Sequence, residues 1–251
     1  MARLSVNLNK IALLRNSRHT GVPDVAHFAR LAIAAGAQGI TVHPRPDERH
    51  IRRSDIPAIA AAMAPHRPRI ELNIEGYPDA RLLEIAADAR PEQVTLVPDA
   101  PDAFTSEQGW QLDPAEMALV QPAIARLHAQ GARVILFIDP DPTVLERIAA
   151  TGADGVEIYT GSYAAAFRAG SAAAELEACA MTAQAARARG LVVNAGHDLN
   201  LRNIPPLLSR TPFLAEASIG HELTADALER GFAATVAAYA AALGGRGAGG
   251  G

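Results

Sequence analysis

The sequence predicts an α/β fold, a single (β/α)8 TIM barrel, and three observations support this class. Short apolar runs rich in β-formers alternate with longer Ala- and Leu-rich segments of helical period, the pattern of βα units in a parallel sheet. Eight such runs occur, and the 251 residues match the usual length of such a barrel. A doubly wound open sheet is the alternative, but it usually has fewer strands, and no GxGxxG follows the first run.

The predicted strands are short runs bounded by polar residues, glycine or proline, as expected for strands inside a parallel sheet. They cover residues 4–7, 39–43, 70–75, 93–97, 133–138, 154–159, 191–194 and 214–219.

The predicted helices fill the segments between the strands, and several begin with a capping residue or proline. The start signals are Pro23-Asp24, Ser54, Asp113-Pro114 and Thr224. The helices cover about 22–35, 54–64, 79–88, 113–130, 142–150, 171–189, 201–208 and 223–242. We expect one barrel domain over residues 1–243 and a flexible glycine-rich tail over 244–251.

Composition excludes several classes of protein. The net charge is −4 and basic residues are mixed with acids, so no basic stripe predicts nucleic-acid binding. No apolar run is long enough for a membrane span, and the N-terminus lacks the apolar region of a signal peptide, so we expect a cytoplasmic protein. The single cysteine, Cys179, lies in an apolar segment and is predicted to be a buried core residue.

Lysine is almost absent from the chain. Of the 23 basic residues 22 are arginine, and Lys10 is the only lysine. A genome that favours arginine codons explains the bias, but the position that kept lysine is then one that needs an ammonium group rather than a guanidinium.

The barrel fold predicts where a site should lie. Active sites of these barrels are built at the C-terminal ends of the strands and in the loops that follow. The residues at these ends are Asn7 with Asn9 and Lys10, His43 with Arg45, Asn73 and Glu75, Pro98 with Asp99, Asp139, Glu157 with Thr160, Asn194 with His197, and Gly220 with His221.

Histidines are concentrated at these strand ends. His43, His197 and His221 fall on or just after them, and His50 lies in the loop beyond the first. Any one of them alone fits a structural histidine, but with Glu75 they are the titratable groups that proton transfer near pH 7 requires. We therefore predict acid–base catalysis and regard a non-enzymatic scaffold as the weaker reading.

Two features predict phosphate binding. The sequences NAGH (194–197) and SIGH (218–221) place a glycine just after strands 7 and 8, the usual phosphate position in these barrels. Arg18 and Arg45 are candidates for a second anion site. No metal is expected, because His43-Pro-Arg45 stands where metal-dependent barrel hydrolases carry His-x-His, and no motif calls for a cofactor.

The sequence resembles a known family along nearly its whole length. The matching segments are VNLNKIALLRNSR (6–18), GITVHPRPDERHI (39–51), NIE (73–75), LVPD (96–99) with FTSEQG (104–109), LFID (136–139), EIYTG (157–161), VNAGHDLN (193–200) and IGH (219–221). Together they are similar to the pyridoxine 5′-phosphate synthase family. The resemblance implies a barrel with additional helices, assembled as a homo-octamer, that needs no cofactor.

The resemblance also implies a reaction and residue roles. The two small phosphorylated substrates would be 3-amino-2-oxopropyl phosphate and 1-deoxy-D-xylulose 5-phosphate, giving pyridoxine 5′-phosphate, inorganic phosphate and water. His43 and Glu75 would be proton acceptors and His197 a proton donor. The implied phosphate ligands are Asn7, Arg18, Gly220 and His221 for the aminoketone, and Arg45, His50 and Thr105 for the deoxyxylulose phosphate.

Three positions depart from the family pattern. Asn9 and Lys10 stand where many members have Asp-His, and Asp198 stands where many have glycine. We count all three as candidate substrate-binding residues. Lys10 either places a positive charge near substrate or forms a Schiff base with it, and the alternative overall function is another phosphosugar isomerase or aldolase on the same barrel.

Overall fold

The computed structural model describes residues 1–99 and 108–244, and the strands within these ranges close into a parallel barrel in chain order. Each strand pairs with the next one, and β8 returns to β1, with Arg3 opposite Glu216. The strands are β1 (Arg3–Asn7), β2 (Gly39–Val42), β3 (Glu71–Gly76), β4 (Gln93–Leu96), β5 (Arg133–Ile138), β6 (Gly155–Tyr159), β7 (Val192–Gly196) and β8 (Glu216–Ile219). The predicted fold class is therefore confirmed.

Helices surround the barrel and pack their apolar faces on the outward side chains of the strands. Those in the described ranges are α1 (Asn9–Asn16), α2 (Val25–Ala34), α3 (Asp55–Met63), α4 (Ala80–Ala89), α5 (Pro114–Ala129), α6 (Leu145–Thr151), α7 (Gly161–Arg168), α8 (Ala173–Ala188), α9 (Ile204–Arg210), α10 (His221–Arg230) and α11 (Phe232–Leu243). Short 3₁₀ turns at Ala64–His66 and Pro142–Val144 extend α3 and precede α6. None of the helices described is long and apolar enough to cross a membrane.

The predicted strands all agree with the structure to within two residues at each end, but the helices differ in three places. Helices α1 and α7 were not predicted. Each starts two residues after a strand ends, so its first residues read as part of the strand end. The predicted helix 223–242 is two helices, α10 and α11, separated at Gly231.

The predicted helix starts were correct at two aspartates. The side chains of Asp24 and Asp113 accept hydrogen bonds from backbone N–H groups in the first turns of α2 and α5. Ser54 occupies the N-cap position of α3 without a side-chain cap. The Thr224 signal was wrong, since α10 already begins at His221, directly after β8.

Other predictions fall partly outside the described residues. Thr105 lies outside them, and so does the tail apart from Gly244. Cys179 is buried in α8 as a free thiol, as predicted, and burial raises its pKa to about 12.

The interior of the barrel is polar and hydrogen-bonded. Such interiors are usually filled by bulky branched side chains. Here Glu71 joins Arg3 and Arg133 at the N-terminal end of the barrel, and Gln93 on β4 donates across it to Glu216 on β8. The side chains that carry the site therefore stand on a layer of fixed polar groups.

Two residues expected at the rim belong to this interior. Asn73 accepts a hydrogen bond from Thr95 at 3.1 Å, and Asn194 donates to Gln93 at 3.3 Å. Asn73 lies two residues before Glu75 on β3 and Asn194 lies two residues before the end of β7, so both belong to the barrel interior rather than to its rim.

Candidate active site

A cavity of about 420 Å³ opens at the C-terminal end of the barrel. It is lined by all three residues predicted as catalytic: His43, Glu75 and His197. The predicted substrate-binding residues that line it are Asn7, Asn9, Lys10, Arg45, His50, Asp198, Gly220 and His221. Arg18 does not line it and is exposed beyond the end of α1.

Five further lining residues were not assigned a role from the sequence. They are Leu13, Arg49, Glu157, Tyr159 and Ser218. The alternation in GVEIY was the available signal for Glu157 and Tyr159, since residues two apart on a strand share a face. Leu13 could not be found this way because it lies on α1, a helix that the sequence did not predict.

Asn9 ties the start of α1 to the neighbouring strand. Its amide oxygen accepts a hydrogen bond from the backbone N–H of His43 at 2.9 Å, and its own N–H donates to Asn7 at 3.0 Å. Asn7 in turn donates to Glu75 at 3.3 Å. The asparagine at position 9 thus fixes the backbone that carries His43.

His43 and Glu75 form the centre of the site. The imidazole Nδ1 lies 3.9 Å from Glu75 Oε2, and both residues are buried. Burial holds the pKa of His43 well below its usual value, and Arg45 lowers it further. His43 is therefore neutral near pH 7 and has a ring nitrogen available as a proton acceptor.

Burial acts on Glu75 in the opposite direction. It raises the pKa of the carboxyl to about 7, against the opposing charge of Arg45. A carboxyl with such a pKa exchanges protons at neutral pH, which suits a general base.

Arg45 is held by a buried partner. Its guanidinium lies 2.5 Å from Asp99 Oδ2, with both side chains about 5% exposed. Because a buried charge is stable only when paired, Asp99 keeps a cation at the cavity wall beside His43.

The loop after β2 presents His50 to the cavity and is anchored by α1. Arg15 pairs with Asp55 at 2.5 Å and donates to the carbonyl of His50 at 3.1 Å, and Asn16 also donates to that carbonyl. The Nδ1 of His50 accepts the N–H of Ile51 at 2.9 Å, so Nε2 carries the proton of the neutral ring. Burial lowers the pKa of His50 to about 4.

His197 lies at the end of β7 in an unusual backbone conformation. Its φ is 77° and that of Asp198 is 57°, a left-handed region that non-glycine residues enter at a cost of about 1–3 kcal/mol each. Burial lowers the pKa of His197, so its protonated form is a stronger acid than an exposed imidazolium.

Glu157 lies on β6 in the same cavity. Burial raises its pKa well above the usual value, and Oε2 is buried without a hydrogen-bond partner among the described residues. A Cβ at Gly196 would overlap its carboxyl, so glycine is required there for the side chain to fit. Burial therefore favours the neutral form of the Glu157 carboxyl.

Replacing Glu157 by glutamine is expected to make the stability of the protein less dependent on pH above about 4.5. The native pKa is raised, so above about pH 4.5 the unfolded chain loses a proton that the native state retains. The free energy of unfolding then falls by up to about 1.4 kcal/mol per pH unit, until the native carboxyl ionises, and glutamine removes that slope. Denaturant unfolding between pH 5 and 8 measures it.

The matched control is the exposed Glu229 on α10. Glu229→Gln should leave the pH slope of the wild type unchanged. Parallel curves for wild type and Glu157→Gln would contradict the raised pKa of Glu157.

The remaining wall of the cavity suits anions. Gly220 and His221 begin α10, and a helix N-terminus offers backbone N–H groups and a positive dipole end. Lys10, Arg45 and Arg49 add positive charge. Within the described ranges no group of three or more His, Cys, Asp or Glu side chains is arranged to hold a metal ion.

Comparison with known proteins identifies close relatives. The family model of the pyridoxal phosphate biosynthesis protein PdxJ matches residues 4–245. The pyridoxine 5′-phosphate synthase of Allorhizobium ampelinum is 52% identical over 246 residues, 97% of this chain and 98% of that protein. That of Mesorhizobium japonicum is 53% identical over 245 residues, covering 97% and 99%.

Two solved structures share the fold at much lower sequence identity. A tryptophan synthase structure from M. tuberculosis aligns with a TM-score of 0.64 and 16% identity, covering 96% of this chain and 93% of that one. Phosphoribosyl anthranilate isomerase from Thermotoga maritima aligns with a TM-score of 0.59 and 12% identity, covering 98% and 100%. These two likenesses bear on the fold alone.

Proposed function

We propose the function from the family: the chain belongs to the PdxJ family of pyridoxal phosphate biosynthesis proteins, which matches it from residue 4 to residue 245. It is an enzyme of vitamin B6 biosynthesis. The full-length match to relatives named pyridoxine 5′-phosphate synthase, at 52–53% identity, is the observation that carries this assignment.

The reaction follows from the same premise. The chain condenses 3-amino-2-oxopropyl phosphate with 1-deoxy-D-xylulose 5-phosphate and releases pyridoxine 5′-phosphate, inorganic phosphate and water. This chemistry joins an amine to a ketone, forms a carbon–carbon bond and eliminates phosphate and water. Each step moves protons on or off carbon, nitrogen or oxygen, and the oxidation level of the reactants taken together is unchanged.

The proton acceptors in this proposal are His43 and Glu75. Support comes from the neutral His43 imidazole, 3.9 Å from a Glu75 carboxyl whose pKa is about 7. The proton donor is His197, whose lowered pKa makes its imidazolium a stronger acid. Three groups around one cavity can serve successive proton transfers without a large movement of the substrate.

Two anion sites orient the substrates. The aminoketone phosphate binds Asn7 and the start of α10 at Gly220 and His221, where backbone N–H groups face the cavity. The deoxyxylulose phosphate binds Arg45 and His50, which line the same cavity, and Nε2 of His50 carries the proton of the neutral ring. The family also implies that Arg18 and Thr105 are phosphate ligands. It implies assembly into a homo-octamer as well.

The proposal is tested by assaying the chelator-treated protein with each substrate alone and with both together. Product fluorescence and phosphate release are followed in parallel. Product only with both substrates, without loss after chelation, is the expected result. Turnover of a single phosphorylated substrate, or no product in any combination, would instead favour another phosphosugar isomerase or aldolase.

Replacing Lys10 by methionine is expected to raise KM about tenfold for one phosphorylated substrate, with a smaller change in kcat. Methionine keeps the length of the side chain but removes the ammonium group, and a tenfold change corresponds to about 1.4 kcal/mol of binding. Steady-state kinetics with each substrate varied in turn measures the effect. Lys10 lines the cavity close enough to His50 and His197 to lower the pKa of both.

The control for this variant is Arg126→Met, which removes an exposed charge from α5 on the outside of the barrel. It should leave both KM values unchanged. Unaltered kinetics in Lys10→Met would remove Lys10 from the binding site. Borohydride treatment with substrate tests the covalent alternative, since an adduct on the Lys10 peptide is expected only for a Schiff base.

A further inference from the structure

The imidazole of His197 lacks the support that catalytic histidines usually have. In most such sites the second ring nitrogen is hydrogen-bonded to a carboxylate or carbonyl, which fixes the tautomer and the ring orientation. Here Nδ1 of His197 is buried and has no hydrogen-bond partner among the described residues. Other contacts must therefore fix the direction of the ring.

The backbone of His197 is held by Thr160 at the end of the neighbouring strand. Thr160 Oγ1 lies 2.6 Å from the carbonyl oxygen of Gly196 and 2.7 Å from that of His197. The backbone N–H of Thr160 also donates to the Gly196 carbonyl at 2.9 Å. Thr160 is completely buried, so water does not replace these bonds easily.

These contacts act on the strained part of the chain. His197 and Asp198 both have positive φ, and such a conformation persists only where the surroundings impose it. Thr160 holds the two carbonyls that precede Asp198, and Asn203 donates to the Asp198 carbonyl at 3.1 Å. If the His197 backbone relaxed to negative φ, the imidazole would leave its position at the cavity wall.

Two aromatic rings complete the support. The His197 ring centroid lies 5.0 Å from that of Phe137 and 5.4 Å from that of Tyr159. The Tyr159 hydroxyl end lies against Gly161, where an added Cβ would overlap it, so the tyrosine ring is itself confined by the start of α7. The histidine is thus placed by its backbone and by ring packing.

We infer that Thr160 is a positioning residue for His197, because its hydroxyl fixes the left-handed backbone that directs the imidazole into the cavity against Phe137 and Tyr159. This inference rests on the proposed function, in which His197 donates a proton. Thr160 itself does not line the cavity, so its effect on catalysis is exerted through His197.

The test compares Thr160→Val, which removes the hydroxyl at constant shape, with Thr160→Ser, which keeps it. Thr160→Val is expected to lower kcat about 10–100-fold with KM within twofold of wild type, and Thr160→Ser to retain most activity. The matched control is Thr211→Val. That residue is also buried and donates to a helix carbonyl, Leu207, outside the cavity.

A second readout follows His197 directly. In ¹⁵N-histidine-labelled protein, with the His197 signal assigned from its loss in His197→Ala, Thr160→Val should shift the resonance and its titration midpoint. Thr211→Val should shift neither. If Thr160→Val folds poorly, Thr160→Ala, which also removes the hydroxyl, replaces it and should likewise shift the signal and lower kcat.

The proposed function and the positioning role of Thr160 are overturned by different results. A wild-type protein that makes no pyridoxine 5′-phosphate overturns the proposed function, whatever the variants do. An active wild type with unchanged kcat and an unchanged His197 signal in Thr160→Val overturns the positioning role. Equal losses in Thr160→Val and Thr211→Val also overturn it, since they would reflect stability alone.

Discussion

Replacing His197 by alanine is expected to lower kcat by about 10²–10⁴-fold, the usual contribution of a well-placed acid or base. The imidazole lines the cavity, and the other histidines that line it, His43, His50 and His221, are held by different strands, loops and helices. Its lowered pKa makes the imidazolium a strong donor to a leaving oxygen. Single-turnover measurement of product formation isolates this step from substrate binding.

The control is His27→Ala, which removes an exposed imidazole from α2 on the outside of the barrel. It should retain wild-type kcat. Folding of His197→Ala is checked by circular dichroism and the thermal midpoint. Full activity in this variant would remove the acid role of His197 and the basis for positioning by Thr160.

Replacing Glu75 by glutamine is expected to have a similarly large effect and to change the pH profile. A general base must be ionised, and the Glu75 carboxyl loses its proton near pH 7 because burial raises its pKa to about 7. The kcat/KM of the wild type should therefore rise with pH as Glu75 ionises, and fall again where His197 loses the proton that it donates. Glutamine keeps the shape of the side chain but cannot accept a proton.

We expect Glu75→Gln to lose about 10²–10⁴-fold in kcat/KM and to lose the rising limb near pH 7. Glu75→Asp should keep a rising limb at reduced activity. Glu229→Gln, an exposed change on α10, should reproduce the wild-type profile. A rising limb that survives unchanged in Glu75→Gln would assign the titration to another group.

The two buried carboxyls of the cavity differ in what they contact. Glu75 accepts a hydrogen bond from Asn7 and lies near the positive charge of Arg45, and both favour its ionised form. For Glu157, burial raises the pKa, and the carboxyls of Glu75 and Glu216 raise it further. One carboxyl is thus poised between its two forms near pH 7, while the surroundings of the other favour its neutral form.

Much of the site was predictable because it depends on strand ends. Strands buried on both faces read as short apolar runs, so their ends can be located from the sequence, and parallel strands in a barrel all end at one rim. That rule predicts His43, Glu75 and His197 at one rim, and in the structure they line one cavity. The scarcity of lysine singled out Lys10, which also lies there.

The helices next to the rim could not be predicted in the same way. The segments Asn9–Asn16 and Gly161–Arg168 follow strands almost without a loop. Neither helix has a side-chain cap at its N-terminus, so the usual signal for a helix start is missing. The sequence also predicted Arg18 near the rim, but Arg18 follows the end of α1 and does not line the cavity.

The sequence by itself determined the barrel, the rim and the types of side chain that meet there, because hydrophobic period and strand order are local properties of the chain. Only the tertiary structure decided what each side chain does. A pKa depends on burial and on charges brought together from distant segments, as for Glu75 between Arg45 and Asp99. The hydrogen bonds of Asn9 to His43 and of Thr160 to His197 join residues that follow different strands, so no local pattern records them.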